Sequence, residues 1–124
     1  MLKLLSLSAG GILGTLSRYY ISKKIYTVFG SNFPYGTFVV NVAGCFFIGF
    51  FASIAERKLI SNPEFNLFFI VGFCGAFTTF STYIFETNSL VGGGELFKGL
   101  ANIVISVAVG FIALKIGLMV GKGF

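Results

Sequence analysis

The residues with the most chemical potential lie in one run, Gly72-Phe73-Cys74-Gly75-Ala76-Phe77-Thr78-Thr79-Phe80-Ser81-Thr82-Tyr83. Phe80 and Tyr83 are three apart, so on a helix their rings share a face. An aromatic ring has a negative face and a positive edge. Rings turned edge-on can therefore contact an anion without a fixed charge, which suits conduction, because a weakly held ion can leave. The plain alternative is that these rings meet lipid or core, as most of the 17 phenylalanines must. Ser81 and Thr82 set hydroxyls beside the two rings. Asn41, inside a second apolar segment, carries an amide with two N–H donors that is costly to bury unsatisfied. It serves either an interhelical hydrogen bond or a passing anion. Asn102, Ser106 and Gly110 recur at i, i+4, i+8, forming either a polar track on one helix face or ordinary interhelical hydrogen bonding.

Enzymatic groups are scarce. The chain has no histidine, and its four acidic residues are Glu56, Glu64, Glu86 and Glu95, all at segment ends or in loops. No acid–base pair, nucleophile triad or His/Cys metal cluster can be assembled, so the chain reads as a non-enzyme. The apolar segments hold no carboxylate to relay protons, which counts against proton-coupled transport. Cys45 and Cys74 fall within apolar segments and read as small buried hydrophobes rather than as a disulfide or a metal pair.

The composition says what must hold these groups in place. The chain has 124 residues, 56% of them hydrophobic and 10% charged, with a mean hydropathy of +0.93. A soluble domain needs roughly 25% charged residues, so the lipid bilayer is the expected solvent and the whole length is expected to be one membrane domain, residues 1–124. The net charge of +5 comes from basic residues scattered between apolar blocks. That argues for interfacial anchors and against a nucleic-acid surface. Four segments reach the roughly 20 residues of a crossing: about 2–21, 35–55, 65–85 and 96–120. The first reads as a membrane helix rather than a cleaved signal, because Arg18 closes it and no small-residue cleavage site follows.

The third segment is expected to be interrupted near Gly75–Thr78. Two glycines weaken it and adjacent threonines add stiffness and hydroxyls. Unwound backbone at membrane depth survives only where protein or a water-filled path satisfies it, so the break points to an ion or substrate site. With four crossings, Lys3, Arg57, Lys58, Lys115 and Lys122 share one side, and Arg18, Lys23, Lys24 and Lys98 the other. So even a balance gives insertion no firm instruction. The chain is thus expected to insert both ways up and to pair as an antiparallel dimer. Two crossed breaks would then offer four carbonyl oxygens to a small hard cation. Small-residue faces at Gly10/Gly14, Gly72/Ala76 and Ala113/Gly117/Gly121 read as helix-packing surfaces. So small a bundle favours a path at a subunit interface.

The whole chain resembles the Fluc (CrcB-type) fluoride channel family. The likeness rests on the early Gly-Gly-x-x-Gly with Arg18, the run from Gly36 to Gly44 around Asn41, and the run from Gly72 to Thr82. The resemblance implies an all-α dual-topology homodimer in the inner (plasma) membrane with two antiparallel fluoride pores. It implies a structural Na+ at the dimer centre, held by the main-chain carbonyls of Gly75 and Thr78. It further implies that Asn41 donates to fluoride, that Phe80 and Tyr83 are the two ring positions, and that Ser81, Thr82 and Ser106 lie along the path, with Arg18 and Glu86 at the vestibule. Tyr83 departs from the family, which usually has phenylalanine there. The runner-up is a small four-helix multidrug-type exporter, which resembles a proton antiporter with a glutamate in its first membrane helix; the first segment here has none.

Overall fold

A computed structural model describes residues 1–56 and 62–124, and every described element is helical. Arg57 and Lys58 of the charge balance lie outside the described residues. Helix α1 spans Leu2–Phe29 and ends at Gly30, whose positive φ of 77 favours glycine. Helix α2 spans Tyr35–Glu56. The third span, α3, starts at Pro63–Phe65, where the Asn62 side chain accepts a hydrogen bond from Glu64 N–H at 2.9 Å and Pro63 takes a first-turn position. It continues through Asn66–Cys74 with the wider i→i+5 winding and closes on Gly75–Phe77. Helix α4 spans Phe80–Gly92 and α5 spans Leu96–Lys122.

Between α3 and α4 stand Thr78 (φ −86, ψ 158) and Thr79 (φ −147, ψ 113), both extended. Gly75, where the sequence suggested the break would begin, is still helical at φ −63, ψ −34. The glycine permits a break, but the threonines adopt it, because their β-branched side chains favour extended backbone. Thr79 then caps α4, its Oγ1 accepting from Thr82 N–H at 3.4 Å.

Three helical stretches, Tyr35–Glu56, Pro63–Gly92 and Leu96–Lys122, are long and apolar enough to cross a membrane. Helix α1 has 28 residues, about 42 Å at 1.5 Å per residue. It carries Arg18, Lys23 and Lys24 in its second half and runs on to Phe29, beyond the expected end at Ile21.

Backbone contact organises the bundle. Near Gly10 and Gly14, α1 runs parallel to α3: a side-chain carbon on either glycine would overlap the carbonyl of Phe68 or Phe73. In the same way α5 runs parallel to α2, and a carbon on Gly117 would overlap the Phe46 carbonyl. Lipid supplies no hydrophobic drive between helices, so this close approach of backbones is what holds the pairs. Among the described residues the largest fully buried side chains are Phe77, Val40, Asn102 and Cys74.

Candidate functional site

The extended pair is held from α2. The Asn41 amide meets the Thr79 backbone on both edges: Thr79 N–H donates to Asn41 Oδ1 at 2.8 Å, and Asn41 Nδ2 donates to the Thr79 carbonyl at 3.1 Å. A primary amide has the donor–acceptor spacing of a peptide, so Asn41 satisfies both backbone groups of Thr79. One Nδ2–H remains for something else. The interhelical bond expected of Asn41 is thus present, and one of its donors stays unassigned.

This arrangement sets the state of two carbonyls. In an unbroken helix the Gly75 carbonyl would take the N–H of Thr79, and the Thr78 carbonyl that of Thr82. Asn41 takes the first donor and the Thr79 hydroxyl takes the second. The Ala76 carbonyl, between them, accepts from Arg18 Nε at 3.0 Å. The carbonyls of Gly75 and Thr78 are thus released by side chains that replace them. Hard, neutral oxygens of this kind are what unwound helices offer to sodium, and Gly75 faces open space. The residues present fit such an ion.

Two clefts flank the break. The first, about 550 Å³, is lined by Asn41, Gly75, Thr78, Phe80, Tyr83 and Ser106 together with apolar residues. It collects four of the six expected pathway residues and both expected carbonyl donors. The Phe80 and Tyr83 ring centroids are 6.0 Å apart at 37°. Phe80 is 75% exposed on the chain's surface, whereas Tyr83 is 8% exposed and its hydroxyl has no hydrogen-bond partner among the described residues. Tyr83 is fixed through its backbone. Ser106 Oγ donates to Asn102 Oδ1 (3.2 Å), Asn102 Nδ2 to Thr87 Oγ1 (2.8 Å), and Thr87 Oγ1 to the Tyr83 carbonyl (2.7 Å). Asn102 of the stripe therefore bonds across to α4, whereas Ser106 bonds within α5 and also reaches the cleft wall.

The second cleft, about 290 Å³, is lined by Arg18, Tyr26, Thr37, Thr79, Thr82 and Glu86, among others. Tyr26 Oη donates to Glu86 Oε1 at 2.8 Å and lies 3.3 Å from Thr37 Oγ1. Glu86 Oε2 is buried without a partner among the described residues. Thr82 belongs to this cleft, not to the one holding the rings, and Ser81 lines neither and is exposed. Helical phase explains the split: from the cap at Thr79, positions 80 and 83 share one face, 82 and 86 another, and 81 faces away. Thr79 lines both clefts.

Thr79, Thr37 and Tyr26 were not among the residues singled out from sequence. Thr79 had a legible signal, a threonine three residues before another hydroxyl at the start of an apolar helix. Tyr26 had none, because its partners come from two other helices.

A family model described as CrcB-like protein, Camphor Resistance (CrcB), matches residues 5–118. A protein of Hydrogenovibrio crunogenus named fluoride-specific ion channel FluC is 42% identical over 124 residues, covering 100% of this chain and 94% of its own length. Proteins of the same name from Chlorobium luteolum (43% identical, 98% of this chain and 93% of its own length) and Chlorobium phaeobacteroides (45%, 91% and 87%) are similar. The chain belongs to the CrcB family and is a multi-pass membrane protein.

Proposed function

We propose that this CrcB-family member is a passive fluoride-selective channel, not an enzyme, and that two antiparallel copies form the conducting unit. The observation that carries this reading is the make-up of the first cleft: a spare amide N–H at Asn41 and the rings of Phe80 and Tyr83, with Ser106 on the wall and no full charge among them. Fluoride is small and strongly hydrated, so it gives up water only to donors that replace it. Neutral donors and ring edges do this without trapping the ion. The names of the relatives point to the same anion.

The 75% exposed Phe80 and the open face of Gly75 support a second copy closing the cleft. In an antiparallel pair, each chain would contribute one ring-lined path, giving two pores. The Gly75 and Thr78 carbonyls of both chains would hold a sodium ion at the centre, where the ion would neutralise their partial charge and tie the breaks together. Helix α1 acts as the fourth crossing, its Lys23 and Lys24 lying toward one interface. The second cleft, with Arg18, Thr82 and Glu86, is the vestibule.

Passive conduction suffices for export. Hydrogen fluoride is a weak acid that crosses membranes uncharged and dissociates inside. The inside-negative potential then drives the trapped anion out through any selective path. Expression in a fluoride-sensitive bacterial strain lacking its own exit route tests this: growth in fluoride medium should be restored. Membrane-inserted protein that gives no rescue would overturn the reading. A C-terminal tag should be reachable from both sides of the membrane; one-sided access would remove the antiparallel pair.

A further inference from the structure

We propose that Arg18 is a positioning residue for the backbone break. Its Nε–H donates to the Ala76 carbonyl at 3.0 Å, across 58 residues of chain. Within the extended pair, Asn41 holds both edges of Thr79. Two side chains from two different helices thus grip the backbone just before and just after its turn out of the helix. The Gly75 and Thr78 carbonyls, deprived of their helical donors, sit on either side of the Arg18 grip, and their direction depends on it.

Two further observations support this assignment. First, Gly14, one turn before Arg18 on the same face of α1, lies against the backbone of Phe73 and Phe77, where any side-chain carbon would overlap the Phe73 carbonyl. That close approach brings Arg18 within reach of Ala76. Second, Arg18 makes no salt bridge among the described residues, although Glu86 lines the same cleft. The partner of Arg18 is therefore the backbone of the break, and the bond is made by the nitrogen nearest its stem. A guanidinium stays protonated even where it is poorly hydrated, and its bond to a neutral carbonyl is charge-assisted. Lysine keeps the charge but has no donor at the Nε position.

The test is amide hydrogen exchange on the full chain in lipid nanodiscs, comparing wild type with Arg18→Lys and Arg18→Met. Exchange at Thr79 should rise about tenfold or more in Arg18→Met, and several-fold in Arg18→Lys, while α5 keeps its protection. Unchanged exchange at Thr79 in folded Arg18→Lys would overturn the proposal, and that variant retains the charge should Arg18→Met fail to fold. A second readout rests on the channel reading above: the sodium concentration for half-maximal fluoride efflux should rise several-fold in Arg18→Lys. A wild type indifferent to sodium would count against the sodium site, whereas the exchange data decide the clamp by themselves.

Discussion

Asn41 and Thr79 exchange two hydrogen bonds, the amide of one serving the backbone of the other as a neighbouring strand would. The bonds join residues 38 apart in sequence, and they let two extended residues persist inside an otherwise helical span. They also fix the orientation of the Asn41 amide, so that its second N–H has one direction to face.

Replacing Asn41 with aspartate removes the donor to the Thr79 carbonyl and sets a carboxylate oxygen against it. Leaving a buried carbonyl without its partner costs about 1–3 kcal/mol. The charge also repels an anion in the cleft. Fluoride flux in Asn41→Asp is expected to fall by at least about tenfold, with a lower Tm. Wild-type flux and Tm together would place Asn41 outside both the clamp and the path.

Phe80 is mostly exposed on the single chain, so trimming its ring removes little core packing. Phe80→Ile should lower fluoride throughput while size-exclusion chromatography still reports the wild-type assembly. Undiminished throughput would remove the ring edge from the mechanism.

Gly10 and Gly11 are neighbours with opposite surroundings. A methyl group on Gly10 overlaps the Phe68 carbonyl, whereas Gly11 has open space. Gly10→Ala should therefore lower stability by about 1–3 kcal/mol through forced separation of α1 and α3, and Gly11→Ala should leave it unchanged or raise it by up to about 1 kcal/mol. Thermal unfolding in detergent checks the pair. Equal effects would mean that α1 does not pack on α3 through this face.

Much of this arrangement could be read from residue types and local period. The small-residue faces at Gly10/Gly14 and Gly117/Gly121 and the shared face of Phe80 and Tyr83 follow from helical spacing alone. The position of the break does not. Glycines and threonines together pointed to Gly75–Thr78, and the extended residues are Thr78 and Thr79, because the decisive partner, Asn41, arrives from another helix. Helical spacing within α4 parts Thr82 from Phe80 and turns Ser81 away from both clefts. Arg18 looked like a charge closing a membrane segment. Its bond to Ala76 emerges only once α1 lies against α3.

Tyr83 carries a buried hydroxyl with no hydrogen-bond partner among the described residues. A group of this kind contributes only its desolvation cost, so Tyr83→Phe should leave the Tm unchanged or raise it. A clear drop in Tm would show that the hydroxyl bonds to a group supplied by a second copy.

The most direct measurement of the central claim, selective passage of a bare anion past neutral donors, is efflux from liposomes containing the purified chain. A fluoride electrode and a chloride electrode follow release after the membrane potential is shunted. The account predicts rapid fluoride release, with chloride retained as in protein-free vesicles. Chloride leaving as fast as fluoride, or fluoride leaving only when a proton gradient is imposed, would contradict it.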